Sequence, residues 1–232
     1  VRSADAFQEK LMNRIVLLHA TPVAMAPIHT AFSEVWPEAE TVNLLDDGLS
    51  LDRARESELS AGMIDRFVQL GKYGFAQQVQ GILITCSAFG PAIDRLSEEL
   101  PVPVHKPNEA MFMEAVAQGN HIGMLATFGP AVKTMTEEFD DYVAQQGSKA
   151  KLTTVLVEDA IDLLKRGDAE SHNRLVAARA KELGHCDVIM LAHFSTSRAA
   201  ESVRQQVTIP VLTAPHAAVK RMKASVLAAA KG

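Results

Sequence analysis

Short apolar, often β-branched runs alternate along the chain with longer amphipathic stretches. The short runs predict strands over 14–20, 41–45, 81–85, 102–105, 121–126, 152–157, 188–192 and 209–212. The longer stretches predict helices over 24–36, 56–78, 91–100, 108–118, 131–146, 160–165, 169–183, 198–206 and 217–229. Strands that alternate strictly with helices predict parallel sheets with helices on both faces. The strand runs are apolar throughout rather than alternating, as expected for strands covered on both sides. No Pro/Gly/Ser-rich linker or low-complexity tract interrupts the pattern.

The pattern repeats itself. Arg14 to Ala20 (RIVLLHA) aligns with His121 to Thr127 (HIGMLAT) at an offset of 107 residues. Gly81 to Cys86 (GILITC) aligns with Val188 to His193 (VIMLAH), and Pro103-Val104 with Pro210-Val211, at the same offset of 107. Three segments holding one register over a hundred residues are hard to obtain by chance. The reading is an α/β fold of two similar Rossmann-like lobes, each a parallel four-stranded sheet, related by a pseudo-twofold axis with an active site in the cleft between them. Residues 1–107 with 216–232 are expected to form the first lobe and 108–215 the second.

Ligands of open parallel sheets bind beyond the carboxyl ends of the strands, where loops and helix N-termini converge. Polar residues collect at those predicted ends: His19 and Thr21, Asp46 and Asp47, Cys86 and Ser87, His105, Thr127, Glu158 and Asp159, His193 with Ser195 to Ser197, and His216. The repeat maps Cys86 onto His193, so a thiol and an imidazole hold equivalent places. Each is followed by a predicted helix start, whose unpaired N–H groups favour an anion and lower a thiol's pKa. The bland alternatives are a buried cysteine acting as a small hydrophobe and a hydrogen-bonded structural histidine. Cys186 precedes its strand and reads as packing or surface. His121, His172 and His185 lie in helices or at amino edges and carry no assigned role.

Other chemistries find less support. No H-x-x-x-H or C-x-x-C pair suggests a metal, Ala126 to Pro130 is neither a dinucleotide loop nor a P-loop, and no G-x-S-x-G elbow is present. The net charge of −5, with basic residues scattered, argues against nucleic acid and anionic membranes as partners. The longest apolar runs are strand-length, and residues 1–13 lack the apolar core of a signal peptide. Two cysteines without a disulfide framework suit a reducing cytoplasm.

The chain resembles the aspartate/glutamate/hydantoin racemase superfamily, which includes maleate isomerase and arylmalonate decarboxylase. The resemblance runs from about Asn13 to Lys231. It rests on Thr85-Cys86-Ser87-Ala88, where the family carries its first catalytic cysteine, and on Gly123-Met124-Leu125-Ala126-Thr127, like the family's glycine-to-threonine strand. Leu44-Leu45-Asp46-Asp47 resembles an acidic loop of some members. The second catalytic cysteine would fall in Leu191-Ala192-His193-Phe194, where this chain has His193. The resemblance implies a cofactor-independent isomerase that moves a proton at carbon next to a carboxylate. Cys86 and His193 would be the catalytic pair. Thr21, Asp46, Ser87, Thr127, Ser195 and Thr196 would line the substrate, with helix capping as the plain role of Ser87 and Ser195. Arg53, Lys106 or Arg198 could reach a second carboxylate. The partner is a small carboxylate, no cofactor or metal is required, and a homo-oligomer is compatible. A decarboxylase, a cis–trans isomerase of dicarboxylates, or a non-catalytic binding protein on the same scaffold stay open.

Overall fold

The computed structural model describes residues 13–56 and 58–230; the signal-peptide reading of the first residues lies outside them. Two four-stranded parallel sheets with helices form an α/β fold. The first sheet contains β1 (Arg14–His19), β2 (Glu40–Leu45), β3 (Gly81–Ile84) and β4 (Val104–His105), in the order β2-β1-β3-β4. The second contains β5 (His121–Ala126), β6 (Lys151–Leu156), β7 (Val188–Leu191) and β8 (Val211–Thr213), in the order β6-β5-β7-β8. All eight strands predicted from the sequence are present, with ends moved by one or two residues. The chain divides into two compact units, Val1–Pro107 with Ala218–Gly232, and Asn108–Ala217.

The helices of the first unit are α1 (Met25–Val35), α2 (Gly48–Arg53), α3 (Ala61–Phe75) and α4 (Gly90–Glu99). Those beginning in the second are α5 (Glu109–Val116), α6 (Gly129–Gln145), α7 (Ala160–Lys165), α8 (Ala169–Arg179), α9 (Ala200–Arg204) and α10 (Ala214–Ala229). The long helix expected over 56–78 starts only at Ala61, behind Ser60, and the short α2 precedes it unforeseen. Continuous apolar runs suit the central strands: every residue of β3 and β7 is buried. The edge strands β2 and β6 instead hold only exposed and half-buried positions, because one neighbour is missing there. No helix among the described residues is long and apolar enough to cross a membrane.

In the first unit, Val16, Leu18, Ile82 and Ile84 pack with Phe67 and Leu96 from the covering helices and with Phe89 just before α4. Gly71 lets α3 close on α4, since a Cβ there would come within 2.2 Å of a Leu96 methyl carbon. In the second unit, Leu125, Ile189 and Leu191 pack with Val176, Leu183, Cys186 and Val203. Cys186 is thus a core residue, 5% exposed, and burial raises its thiol's pKa.

The two sheets share one hydrogen-bond register. Ile15 faces Gly81 and Leu18 faces Ile84 in the first; Ile122 faces Val188 and Leu125 faces Leu191 in the second, each pair 107 residues on. Ile82 faces Val104 as Ile189 faces Val211. Only β6 departs, because Arg14 pairs with Glu40 whereas His121 pairs with Lys151, an offset of 111 that reflects a longer connection.

Candidate functional site

The strand order reverses between β1 and β3, and again between β5 and β7, so each sheet has a topological switch point at those carboxyl ends. In the first unit, the backbone joins the two strands there through Thr85 N–H donating to Leu18 O at 3.1 Å. Side chains bridge the same place. His19 is fully buried, with Nδ1 2.8 Å from Thr85 Oγ1 and Nε2 2.9 Å from Asn43 Oδ1. Asn43 Oδ1 also lies 2.9 Å from His29 Nε2. An amide oxygen only accepts, so His19 carries a proton on Nε2, and the one proton of the Thr85 hydroxyl lies within reach of both His19 Nδ1 and Leu18 O, the latter at 3.3 Å. Burial lowers the His19 pKa, which keeps this ring neutral.

Cys86 follows directly. It is half-buried, in extended backbone (φ −132°, ψ 124°), and is neither disulfide-bonded nor an element of the strand itself. A short 3-10 turn, Ser87–Phe89, begins at once and leads into α4. Ser87 is 6% exposed and occupies the first residue of that turn rather than its cap. Thr21 sits past β1 before the 3-10 turn Pro22–Ala24, without a side-chain capping bond. Asp46 follows β2, its N–H donating to His19 O at 3.1 Å. Its carboxylate is engaged by Arg66, Nε to Oδ2 at 2.7 Å and Nη2 to Oδ1 at 2.5 Å, while Arg66 also donates to Asp52 of α2.

The second unit repeats the backbone and changes the side chains. Ala192 N–H donates to Leu125 O at 2.9 Å, the counterpart of the Thr85 bond. The positions equivalent to His19 and Thr85 are Ala126 and Ala192, so the first unit's bridge has no counterpart in place. A hydroxyl pair replaces it: Thr127 Oγ1 and Thr196 Oγ1 lie 2.9 Å apart, both residues buried. His193 adopts φ 69°, in the left-handed region that costs a β-carbon-bearing residue about 1 kcal/mol. That turn delays the following 3-10 segment, Ser195–Ala199, by one residue relative to the first unit. The residue is half-buried, yet its Nε2 is sealed from solvent without a hydrogen-bond partner. The Phe128 ring meets it edge-on at 6.4 Å. Burial pushes the His193 pKa down to about 4, so the ring is neutral at pH 7.

Thr21, Asp46, Cys86 and Ser87 therefore gather at the first sheet's carboxyl edge, and Thr127, His193, Ser195 and Thr196 at the second's. Ser195 is 5% exposed and, like Ser87, begins a turn without capping it. Of the cations considered for a second carboxylate, Lys106 Nζ pairs with Asp94 at 2.7 Å and Arg53 donates to Glu56 O at 2.7 Å, while Arg198 is exposed. His216 Nδ1 lies 3.0 Å from Thr213 Oγ1. His172 is wholly buried on α8 and donates from Nδ1 to Asn173 Oδ1 at 2.8 Å. Sequence reasoning passed over Asn43 and Arg66, whose roles depend on which residues a parallel sheet brings alongside. Among the described residues, no group of three or more His, Cys, Asp or Glu side chains is disposed to hold a metal ion.

Two parallel four-stranded sheets, each with helices and a switch point at its carboxyl edge, place the chain in the α/β class. The sequence model of the Asp/Glu/Hydantoin racemase family matches residues 19–183, and the chain belongs to that family. The match includes Cys86 and ends ten residues before His193. Solved structures agree on the fold. Glutamate racemase from Francisella tularensis, in complex with D-glutamate, is 19% identical with a TM-score of 0.68, over 94% of this chain and 83% of that one. Allantoin racemase from Klebsiella pneumoniae is 18% identical with a TM-score of 0.69, over 93% and 88%. A variant of arylmalonate decarboxylase is 14% identical with a TM-score of 0.65, over 92% and 93%. No curated protein sequence matches the chain.

Proposed function

We propose that the protein is a cofactor-independent racemase or epimerase of a small amino acid or related carboxylate, with Cys86 and His193 as its two proton-transfer groups. The observation that carries this reading is the common register: both groups follow the residue whose N–H closes the switch point, Thr85 in one sheet and Ala192 in the other. Family membership supports the reaction class. Inversion requires an acid and a base on opposite faces of one carbon.

The neutral His193 ring assigns the roles: it accepts a proton, which leaves Cys86 as the donor. In the resting protein, His193 takes the proton from Cα of one enantiomer, and the bond's electron pair passes into the carboxylate as an enediolate. Cys86 then delivers its thiol proton to the opposite face. The enzyme is left as imidazolium and thiolate, the form competent for the other enantiomer. Ser87, Thr127, Ser195 and Thr196, with the N–H groups of the two 3-10 turns, supply donors to the enediolate and carboxylate. Thr21 contacts the carboxylate from the first sheet, and Asp46 enters through the Arg66 that it holds.

A panel of amino acids, hydantoins and related carboxylates in D2O tests this, read by chiral chromatography with mass spectrometry. The expected result is solvent deuterium in the inverted product from the first turnover and little in recovered substrate. His193→Gly should exchange deuterium with retention while racemising at least about a hundredfold more slowly. Racemisation at the wild-type rate in that variant would refute the two-group reading. The single thiol at the carboxyl edges also suits a decarboxylase, in which one acid protonates the carbanion left by departing carbon dioxide. Carbon dioxide release in the same assay selects that alternative.

A further inference from the structure

The second unit has a cleft of about 440 Å³ at the opposite end of β7 from His193. One wall is the 3-10 turn Ala180–Leu183 with the residue after it; the other is the end of α9 with the loop that enters β8. Lys181 and Arg204 supply its charges, Gln206 and Thr208 neutral polar groups, and half-buried Val207 and Ile209 an apolar surface. Among the described residues no carboxylate lines it. The carboxylates nearby in the chain are already engaged: Glu182 by Arg179, Glu201 by Gln205 at 3.4 Å, and Asp187 by the N–H groups of Asn120 and His121. Lys181 has no hydrogen-bond or ion-pair partner among the described residues. Arg204 is anchored rather than neutralised. Its Nη2 donates to Val211 O at 3.2 Å, which leaves the other guanidinium N–H groups without a carboxylate.

The same place in the first unit carries its own counter-charge. At the offset of 107, Lys181 and Arg204 correspond to Gly74 and Ser97, and Gln205 and Gln206 to Glu98 and Glu99. The register holds there, since Ile82 N–H donates to Pro103 O as Ile189 N–H donates to Pro210 O, both at 2.9 Å. Glu99 binds Lys72 at 2.5 Å and Arg95 at 2.8 Å, so cation and carboxylate cancel. The fold therefore does not require two unneutralised cations, and in a chain of net charge −5 they point to an anion from outside. Guanidinium, ammonium, amide and hydroxyl donors on two separate segments suit the three acceptor oxygens of a phosphate monoester better than one planar carboxylate. The cleft also falls within the size range of small-molecule sites, about 300–1,000 Å³, which leaves Val207 and Ile209 for an organic part. We propose that this cleft binds a small organic phosphate, its dianion on Lys181 and Arg204 and its carbon skeleton on Val207 and Ile209. The site stands independently of the proton-transfer reaction.

Calorimetry with phenyl phosphate, inorganic phosphate and benzenesulfonate tests the site. Phenyl phosphate carries both the dianion and an apolar ring; inorganic phosphate lacks the ring, and benzenesulfonate carries the ring with a single charge. At about pH 8, where the phosphate is doubly charged, the protein should bind phenyl phosphate at least about tenfold more tightly than either control. Lys181→Met and Arg204→Gln should each weaken that binding at least about tenfold. Lys181→Met changes an exposed side chain without a partner, so it probes the site while sparing the fold. Arg204→Gln also loses the bond to Val211 O, and a thermal melt shows whether the variant is folded. His193→Gly should bind phenyl phosphate as the wild type does, because the cleft lies at the other end of β7. Absent binding, a control bound as tightly as phenyl phosphate, full affinity in either folded cleft variant, or lost affinity in His193→Gly would each overturn the proposal.

Discussion

The amino edges of the two sheets are alike, and their carboxyl edges are not. At the start of β1, Gln80 Oε1 accepts from Arg14 N–H at 2.9 Å. At the start of β5, Asp187 Oδ2, 107 residues further on, accepts from His121 N–H and Asn120 N–H at 2.8 Å each. Both therefore satisfy an N–H that the sheet ladder leaves open. At the other edge, the first unit closes its switch point with His19, Thr85 and Asn43, all bonded. The second closes it with Thr127 and Thr196 and leaves Nε2 of His193 unmet, while the first sheet's buried unmet nitrogen, Nδ1 of His105, lies away from the switch point at the end of β4. The backbones differ as well, extended at Cys86 and left-handed at His193. One edge is kept for assembling the sheet; the other can vary because the register no longer depends on it.

The sharpest break of that contrast is between the two cysteines. Cys86→Ala should lower turnover by about 10²–10⁴, the usual worth of a proton-transfer group, with the fold intact. Cys186→Ala, in the core near the amino edge, should keep its turnover and lose about 1 kcal/mol of stability. Rates paired with thermal melts check both, and equal loss of rate in two folded variants would erase the distinction.

Acid should weaken both units. Burial pushes His105 in the first and His193 in the second down to about 4, and lowers His19 and His172 as well. Unfolded histidines titrate near 6.5, so between about pH 6.5 and 4 the unfolded chain binds more protons than the folded one. Stability is fully present above that window and falls as pH drops through it, by on the order of a few kcal/mol in total. Melting temperatures at pH 7, 5.5 and 4 should decline in step; a flat profile contradicts the buried, neutral rings.

The amino edges should then be told apart by degree. Asp187→Ala removes a charged acceptor of two N–H groups and should cost about 2 kcal/mol, whereas Gln80→Ala removes a neutral acceptor and should cost about 1 kcal/mol. Denaturant unfolding measures each, and both should leave the proton-transfer assay unchanged. The smallest effect concerns backbone: His193→Gly should be more stable than His193→Ala by about 1 kcal/mol, because only glycine is at ease at φ 69°. The same pair at Cys86 should invert, with glycine the less stable, since that position is extended.

Much was legible in the chain itself. The apolar runs name all eight strands, because a strand covered on both faces must be apolar along its length. The 107-residue offset carries straight into the register of Ile15 with Gly81 and Ile122 with Val188, since repeated patterns bury repeated faces. The partial exposure of β2 and β6 was not legible, because edge position depends on strand order. Nor was the pairing of His19 with Thr85 across 66 residues, of Asp46 with Arg66, or of Thr127 with Thr196. A residue type declares what bonds it can make, and the sequence fixes the candidates by that rule alone. Which bond is made, which nitrogen is left buried without one, and which histidine bends into left-handed backbone are decided only when parallel strands bring distant residues to one edge.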